Sequence, residues 1–210
     1  MASGKSKLII AALLPFIFMA QCATASPPKE KKSEQWIELF NGKDTTGWRM
    51  AGKGNFTVED GALVTHGGMG LLWYEQKTFR DFVLEVEWKV NSQCNNSGIF
   101  VRFPEKSDDP WYAVNNGYEI QIDDCDKKGL MFQTGAIYSF HPSTKLASKP
   151  AGQWNLYRIT VAGQHYTVEL NGEKVNEFDG ARGREGYIGL QNHDPTSLVS
   201  FRRVSVTEIK

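Results

Sequence analysis

Apolar and polar side chains alternate along most of the chain beyond residue 36, with the period of two that is typical of β-strands. Along the segment 82–89, every second residue is apolar and faces one side, namely Phe82, Leu84, Val86 and Trp88. The segment 201–209 shows the same alternation in Phe201, Val204, Val206 and Ile209, if a β-bulge lies at Arg202–Arg203. Both segments are therefore predicted to be strands with one face in a core.

Turn signals separate these strands and indicate how several of them pair. Asp60-Gly61 and Asn171-Gly172 each lie between two β-rich runs, and both residues of such a turn must accept a positive φ. A further turn at 162–164 joins three successive strands into a meander. No segment shows a convincing helical period, and the nearest one, at 75–82, is too short. About a dozen short strands with Gly-rich turns predict an all-β sandwich or barrel, whose wide interior aromatic residues can fill.

Polar side chains occupy one whole face of the strand YEIQID at 118–123. Ile120 and Ile122 face one side, and the other side carries Glu119, Gln121 and Asp123. A solvated outer face is the ordinary interpretation of such a strand. The alternative is the floor of a sugar-binding cleft, because carboxylates and amides hydrogen-bond hydroxyl groups. The position between apolar strands, with long Gly-rich loops following, favours the cleft and predicts a place in the middle of a sheet.

The first 25 residues have the features of a secretory signal peptide. The basic residues Lys5 and Lys7 precede the apolar run 8–20, which is too short and too Pro-interrupted to span a bilayer comfortably. Ala23–Ala25 offers the small residues that signal peptidase requires. Lipid anchoring through Cys22 is less favoured, because the residue before it is bulky. The chain is therefore predicted to be secreted or periplasmic.

Cleavage after residue 25 would leave a flexible, Pro- and Lys-rich linker at 26–35 and one domain at 36–210. Without the two lysines of the signal peptide, the 24 basic residues become 22 against 24 acidic ones, a net charge near −2. No basic stripe is present, so nucleic acid is excluded as an expected partner. No second apolar run is long enough for a membrane span.

Two cysteines remain after export, Cys94 and Cys125. Two cysteines outside the cytoplasm form a disulfide more often than a metal site, and no CxxC motif is present. Cys94 precedes one predicted strand and Cys125 follows another. If these strands are antiparallel neighbours, both cysteines lie at the same end of the sheet, so a disulfide is plausible, with free thiols as the alternative.

Two-carboxylate glycosidase chemistry fits the YEIQID strand poorly. Retaining enzymes hold their two carboxyl groups about 5–5.5 Å apart. The Cα atoms of Glu119 and Asp123 would lie about 13 Å apart on an extended strand. The residue midway between them, Gln121, is an amide. A conventional retaining glycosidase is therefore disfavoured.

Two of the four histidines are candidates for a functional site. His193 follows an apolar strand and lies between Asn192 and Asp194, which could orient its imidazole. His141, in the loop SFHPST, is an intermediate case. No HxH or HExxH spacing is present, so a metal site would have to be assembled from distant segments, with Glu119 and His193 as its first candidates.

An arginine and three aromatic residues complete the set of candidates. Simple alternation places Arg102 on the same face as Phe100, from where it could reach Glu119 or remain an ordinary surface charge. Sugar rings stack on exposed aromatic side chains, and the candidates for such stacking are Trp73, Trp111 and Tyr138. An aromatic residue of a sandwich is nevertheless more often part of the core.

Seven motifs occur in an order that resembles a known family over nearly the whole mature chain. They are WIELFNGKDTTGWR at 36–49, VEDGAL at 58–63, NSGIFVR at 96–102, YEIQIDD at 118–124, TGAIY at 134–138, KPAGQWN at 149–155 and IGLQNH at 188–193. No single motif is decisive, but the ordered set is specific. The chain resembles the 3-keto-disaccharide hydrolase domain family, which implies a concanavalin A-like (lectin/glucanase) jelly-roll sandwich of two antiparallel sheets.

The resemblance also implies a substrate, a glycoside whose C3 hydroxyl has been oxidised to a ketone. The ketone acidifies the C2 proton, so that a base can start the expulsion of the C1 substituent, and addition of water then completes a net hydrolysis. Removal of the C2 proton gives an enolate, which a divalent metal ion would stabilise, although no cofactor is certain. Carried over by motif, the residues that line the cleft are Glu119, Gln121, Arg102, Tyr138 and His193. The catalytic candidates among them are Glu119, His193 and Arg102, and the further substrate-binding candidates are Asp123, Trp73, Trp111 and His141.

A non-catalytic carbohydrate-binding module with the same sandwich is the alternative function. The aromatic residues and the imperfect carboxylate row motivate it. Both functions predict an oligosaccharide or glycoside as the partner, and the oligomeric state is left open. The chain departs from the family pattern at Cys94 and Asn95, where a Gly-rich turn is usual, and in the SFHPST loop. Such loop changes bear on substrate preference more than on fold.

Overall fold

The computed structural model describes residues 35–125 and 129–209, together with Met1 and Gly4. The rest of the predicted signal peptide, with Cys22, and nearly all of the predicted linker lie outside these residues. The elements of the described part are β1 (Ile37–Glu38), β2 (Trp48–Gly52), β3 (Asn55–Glu59), β4 (Ala62–His66), β5 (Gly70–Tyr74), β6 (Phe82–Val90), β7 (Ser97–Phe103), α1 (Trp111–Asn116), β8 (Tyr118–Ile122), β9 (Asn155–Ala162), β10 (His165–Leu170), β11 (Glu173–Asp179), β12 (Tyr187–Asn192) and β13 (Val199–Glu208).

These strands form two antiparallel sheets that pack face to face. One sheet has the order β11-β10-β9-β6-β13-β4-β3, with β1 paired to β13, and the other has the order β2-β5-β12-β7-β8. The predicted all-β sandwich is thereby confirmed. The expectation that no helix forms is wrong at α1, because a helix of six residues is too short to show a helical period in the sequence.

The predicted hydrophobic alternation places the expected side chains between the sheets. The apolar residues of β6 are fully buried, namely Phe82, Leu84, Val86 and Trp88. The bulge predicted in β13 is present, since the register with β6 shifts between Arg202 and Ser205 and Arg203 has a φ of 48°. Ile209 is the exception to the alternation, because its side chain lies beyond β13 and is exposed.

Both predicted two-residue turns form the connections that their sequences indicate. Asp60 and Gly61 join β3 to β4 with φ values of 49° and 75°. Asn171 and Gly172 join β10 to β11 with φ values of 53° and 85°. Left-handed backbone of this kind is accessible to Gly and Asn and matches the twist of the paired strands. Strands β9, β10 and β11 consequently form the predicted meander.

Strand β8 lies at the edge of the five-stranded sheet, whereas the sequence predicted a place in the middle of a sheet. The segment 134–138 covers this edge and satisfies its backbone groups. The Gln121 N–H donates to the Ala136 carbonyl at 3.0 Å, and the Tyr138 N–H donates to the Glu119 carbonyl at 2.9 Å. The prediction failed because position in the sequence does not determine the spatial order of strands.

The two faces of the five-stranded sheet have different environments. Its inner face contributes Leu72, Ile99, Ile120 and Leu190 to the main core. Its outer face carries a second, smaller apolar cluster, in which Leu71, Trp73 and Phe100 pack with Ala113 of α1. The helix therefore covers part of the outer face, and the rest of that face remains available for a site.

A disulfide joins Cys94, which precedes β7, to Cys125, which follows β8. The Cα atoms of the two residues are 4.5 Å apart, and β7 and β8 are antiparallel neighbours, as the pairing of these cysteines requires. The bridge therefore ties the two strands together at one end of the outer face. Over the described residues, none of the helical structure has the length and apolar character needed to cross a bilayer.

Candidate functional site

A cavity of about 330 Å³ opens on the outer face of the five-stranded sheet, beside α1. Its polar lining residues are Asn96, Glu119, Gln121, Gln191 and His193. Its apolar and aromatic lining residues are Met69, Trp111, Val114, Phe132 and Tyr138. Four of these polar residues are each less than one-tenth exposed, and we call them the polar floor: Asn96, Glu119, Gln121 and Gln191. A buried polar floor with an aromatic rim is the arrangement that a sugar ligand requires.

Glu119 is the only acidic residue of the polar floor. Burial raises the pKa of its carboxyl group to about 8, and a hydrogen bond with Gln191 opposes this rise. No basic side chain in the described part of the chain forms an ion pair with it. At neutral pH the carboxyl group is therefore mostly protonated, so that it can donate a proton.

The space for the Glu119 side chain comes from a glycine on the neighbouring strand. A Cβ atom on Gly98 of β7 would lie 2.7 Å from the Cγ atom of Glu119, closer than two carbon atoms can approach. The side chain of Glu119 therefore lies over the backbone of Gly98. Any larger residue at position 98 would displace the carboxyl group from the polar floor.

The amide groups of Asn96 and Gln121 are oriented by acceptors behind the floor. The Nδ2 atom of Asn96 donates to the Oδ2 atom of Asp123 at 3.2 Å. The Nε2 atom of Gln121 donates to the Phe132 carbonyl at 3.3 Å. Asp123 is thus a buried supporting residue and does not line the cavity, although the sequence proposed it for substrate binding.

His193 lines the same cavity and is oriented by the residue that follows it. Its Nδ1 atom lies 2.9 Å from the Oδ2 atom of Asp194. Partial burial would raise the pKa of Asp194, but hydrogen bonds from Thr196, His193 and Ser197 together hold that pKa well below its usual value. Because the ionised carboxylate of Asp194 accepts a hydrogen bond from the Nδ1–H group, the neutral imidazole carries its lone pair on Nε2. The pair therefore has the arrangement of an oriented general base.

Two of the three proposed aromatic platforms contribute to the cavity. Trp111 begins α1 and is 55% exposed, although large apolar side chains are usually buried. Tyr138 lies in the segment that covers the edge of β8, and its ring packs against Phe132 with centroids 5.5 Å apart. The third, Trp73, is fully buried among Phe103 and Tyr187 and does not line the cavity.

Arg102 does not reach the cavity, because a bulge changes the direction of its side chain. Its φ of 63° coincides with the register shift in the pairing of β7 with β12. Phe103 remains on the outer face, whereas the guanidinium of Arg102 lies 6.0 Å from the ring of Tyr166 in the main core. The guanidinium donates to the carbonyls of Arg80, Gly163 and Gly183 and pairs with Asp81. The guanidinium of Arg102 is therefore held by the surrounding backbone and by Asp81, away from the cavity.

His141 is also absent from the cavity lining. Its Nδ1 atom lies 2.8 Å from the Oδ1 atom of Asn176, and its ring faces Phe178 with centroids 6.2 Å apart. The two residues that were candidates for a metal site, Glu119 and His193, both line the cavity. Within residues 35–125 and 129–209, however, no three His, Cys, Asp or Glu side chains cluster as ligands of a metal ion would.

Five further residues line the cavity without having been predicted from the sequence, namely Asn96, Gln191, Met69, Val114 and Phe132. Gln191 was within reach of the alternation rule, because it stands two residues before His193 at the end of β12. Asn96 immediately precedes β7 and is the first residue of the motif NSGIFVR, which contributes to the family resemblance. The apolar lining residues carry no signal of this kind, because only the packing of α1 and two loops brings them to the cavity.

Comparison with known proteins gives the family of this chain. The family model described as the 3-keto-alpha-glucoside-1,2-lyase-like domain matches residues 35–207, and the chain belongs to this family. The family suggested by the seven motifs is thereby confirmed. A protein of Bacteroides thetaiotaomicron named 3-keto-disaccharide hydrolase is 26% identical, over 83% of this chain and 78% of its own length.

Solved structures show the same sandwich. A candidate glycosyl hydrolase from Parabacteroides distasonis is 25% identical, with a TM-score of 0.72 over 87% of this chain and 98% of its own. A carbohydrate binding module from Bacillus subtilis is 16% identical, with a TM-score of 0.56 over 77% of this chain and 96% of its own. The second likeness concerns the fold alone. The family, the relative from Bacteroides thetaiotaomicron and the structure from Parabacteroides distasonis together support a glycoside hydrolase-like role.

Proposed function

We propose that this protein cleaves 3-keto-glycosides, including 3-keto-disaccharides, by a base-initiated elimination that addition of water converts into a net hydrolysis. The observation that carries the proposal is the carboxyl group of Glu119, which is buried at the floor of a sugar-sized cavity and pairs with no basic side chain among the described residues. The oriented imidazole of His193 in the same cavity supplies the second group that the reaction needs. The names of the family and of the relative from Bacteroides thetaiotaomicron support the 3-keto substrate.

In the proposed reaction, Nε2 of His193 removes the proton from C2 of the keto sugar. The electron pair of the C2–H bond forms a C1–C2 double bond, and the bond from C1 to the leaving oxygen breaks. The leaving oxygen takes the proton of the Glu119 carboxyl group. Addition of water across the new double bond then gives the free 3-keto sugar, and the proton held by His193 returns to Glu119.

The roles follow from the different environments of the two groups. Glu119 is buried and favours its neutral acid form, whereas the ionised Asp194 favours a proton on Nδ1 of His193. When the environments of two groups favour different protonation states, one group usually serves as the acid and the other as the base. The sequence itself did not distinguish an acid from a base or a metal ligand at Glu119. The pH dependence does, because only the acid role requires the protonated carboxyl group.

Turnover of matched sugars tests the proposal. The purified mature chain would be incubated with a 3-keto-disaccharide and with the parent disaccharide, with and without a chelator. We expect release of the C1 substituent from the keto sugar alone, with kcat/KM falling as the pH rises through about 8, where Glu119 loses its proton. A rise in kcat/KM through this pH would assign Glu119 as the base. Folded protein that turns over neither sugar, with divalent metals supplied, would contradict the proposal.

Carbohydrate binding without catalysis is the second candidate function. The exposed ring of Trp111 at the cavity favours it, because binding modules hold sugars by stacking on such rings. Under this function, the chain binds glycosides with measurable affinity while product formation equals that of an enzyme-free control. Calorimetric titration alongside the turnover assay separates the two functions.

We also propose that the chain is exported and works outside the cytoplasm. The signal-like first 25 residues and the disulfide of Cys94 with Cys125 support this location, because disulfides persist in oxidising compartments. Cell fractionation and sequencing of the mature N-terminus test it. We expect a chain that begins at Ser26. A lipid-modified Cys22 at the N-terminus would instead favour an anchored protein, and an intact Met1 in the cytoplasm would contradict export.

A further inference from the structure

The three amide side chains of the polar floor leave their oxygen atoms without hydrogen bonds. Asn96, Gln121 and Gln191 line the cavity, and each is more than nine-tenths buried. The Oδ1 atom of Asn96 and the Oε1 atoms of Gln121 and Gln191 have no hydrogen-bond partner among the described residues. A buried amide oxygen without a donor costs free energy, and such atoms are rare in folded proteins. Three of them at one cavity therefore require an explanation.

The NH₂ groups fix the direction of two of these amides. The Nδ2 atom of Asn96 donates to the Oδ2 atom of Asp123, and the Nε2 atom of Gln121 donates to the Phe132 carbonyl. A carboxylate and a carbonyl can only accept hydrogen bonds, so neither amide can be reversed without losing its bond. The oxygen atoms, and not the NH₂ groups, are consequently the hydrogen-bonding groups that Asn96 and Gln121 offer to a ligand.

The backbone of both residues is also held in place. The Asn96 N–H donates to the Oγ atom of Ser197 at 2.8 Å. The Gln121 carbonyl accepts from the Tyr157 hydroxyl at 2.6 Å and from the Gly135 N–H at 3.1 Å. Groups that are held before a ligand arrives lose little conformational freedom on binding. The two oxygen atoms are therefore acceptors in a preorganised floor.

The charged groups at the cavity favour an uncharged ligand. None of the described lining residues is a Lys or an Arg. The imidazole of His193 already faces the carboxylate of Asp194 at 2.9 Å. A uronate or sulfate group would therefore meet acceptor oxygens without a side-chain cation to pair with it, and burial of an unpaired charge is unfavourable. A hydroxyl group can donate to the same oxygens.

From this arrangement we infer that the polar floor recognises the hydroxyl groups of an uncharged sugar by accepting hydrogen bonds from them, with Asn96 and Gln121 as specificity-determining residues. This recognition deepens the proposed function and rests on it for the identity of the ligand as a glycoside. It adds that the sugar donates through at least two free hydroxyl groups and that acidic and sulfated sugars are excluded. Binding by the floor does not itself depend on turnover.

Calorimetric titration with maltose and its monodeoxy and monodeoxyfluoro analogues tests the inference. The full mature chain is used, in the presence of a chelator. Fluorine is similar in size to a hydroxyl group but cannot donate a hydrogen bond. At two or more positions of the sugar, we expect deoxygenation and fluorination each to weaken binding by roughly 10–100-fold. Analogues in which fluorine restores the affinity at every sensitive position would overturn the inference, because the floor would then act as a donor.

The variant Asn96→Leu tests the residue assignment, because Leu has nearly the shape of Asn and no hydrogen-bonding group. One deoxygenation penalty should disappear in this variant, while the others remain. The matched control within the cavity is Trp111→Ala, which should weaken all the sugars by a similar factor and keep every penalty. Unchanged penalties in folded Asn96→Leu would contradict the assignment. Gln121→Met provides the same measurement at the second residue if Asn96→Leu does not fold.

Two further titrations test the chemistry of the floor. A disaccharide that contains glucuronate should bind more weakly than maltose, and equal or tighter binding would contradict the exclusion of acidic sugars. The hydroxyl penalties should be the same with a divalent cation as with the chelator. Penalties that appear only with the cation would assign the amide oxygens to the cation and overturn the inference.

Turnover measurements separate this inference from the proposed function. If the chain binds maltose with these penalties but cleaves no 3-keto-disaccharide, the proposed function fails and the hydroxyl recognition stands. If the chain cleaves the 3-keto-disaccharide and its deoxygenated analogues with equal kcat/KM, the proposed function stands and the inference fails. Folded protein that neither binds nor cleaves any of these sugars would contradict both.

Discussion

The two outer faces of the sandwich both carry glutamates, but in opposite circumstances. On the eight-stranded sheet, Glu85 lies 2.5 Å from Arg158, and Glu87 lies 2.5 Å from Arg202. On the five-stranded sheet, Glu119 is buried and forms no ion pair with any residue of the described part. On the first face arginine side chains pair with the carboxylates, whereas the second face buries a carboxyl group without a basic partner among the described residues.

This difference indicates which face has a function. Burial of a carboxylate without a cation costs free energy, so that the group becomes neutral instead. A protein optimised only for stability would pair Glu119 or replace it. The outer face of the eight-stranded sheet is thus an ordinary solvated surface, and the outer face of the five-stranded sheet contains the candidate site.

The largest expected effect is the loss of turnover in Glu119→Gln. The substitution keeps the shape of the side chain and removes its transferable proton, so we expect kcat to fall by roughly 10²–10⁴-fold. The matched control is Glu87→Gln, the same change on the opposite face, which should keep wild-type turnover. Steady-state kinetics on a 3-keto-disaccharide make the measurement. Equal activity of Glu119→Gln and wild type would remove the functional distinction between the faces.

The second prediction compares Glu119 with a buried basic residue, Arg102. Arg102→Met removes the hydrogen bonds to three carbonyls and leaves Asp81 without its ion pair, so we expect a loss of about 3–5 kcal/mol in the free energy of unfolding. Urea denaturation measures this loss. The folded fraction should retain the wild-type kcat, because Arg102 lies outside the cavity. A fall in kcat without a loss of stability would support the catalytic role that the sequence suggested.

The third prediction concerns the pH dependence of stability. The folded-state pKa of Glu119, about 8, lies above that of an ordinary glutamate, so folding favours the protonated form. This contribution to stability is fully present below the unfolded-state pKa and is lost as the pH rises through about 8. As the pH rises from about 4 to 8, the free energy of unfolding should therefore fall less for Glu119→Gln than for wild type. The difference between the two falls should be on the order of a few kcal/mol.

Urea denaturation at several pH values measures this difference. Glu87→Gln serves again as the control and should follow the wild-type curve, apart from a constant offset. Parallel curves for wild type and Glu119→Gln would show that the buried carboxyl group does not have the raised pKa on which its assigned role depends.

The smallest expected effect is the change in stability of Glu87→Gln itself. The pairs of Glu87 with Arg202 and with Arg203 lie on the solvated face, where an ion pair contributes about 0–1 kcal/mol. We expect a loss within this range that shrinks as salt is added, measured by denaturation at low and high ionic strength. A larger, salt-independent loss would mean that this face is not an ordinary solvated surface.

Local patterns in the sequence were sufficient to predict the strands, the turns and much of the candidate site. Alternation placed Ile120 in the core and Glu119 on the opposite face, because the side-chain period of a strand is a local property. The turns at Asp60 and Asn171 were equally readable, since a positive φ depends on the residue itself. The pairing of Cys94 with Cys125 was expected on the condition that the two strands between them are antiparallel neighbours, and β7 and β8 meet this condition.

The remaining features depend on contacts between distant segments, so only the tertiary structure decided them. The edge position of β8 depends on which strands pair across the sheet, and the bulge at Arg102 turns that side chain away from the face that simple alternation predicts. The position of the Glu119 side chain over Gly98 requires that β7 and β8 pair as neighbours and that no side chain fills the space at position 98. Periodicity specifies the face on which a side chain lies, whereas its neighbours on that face are set by long-range strand pairing and packing.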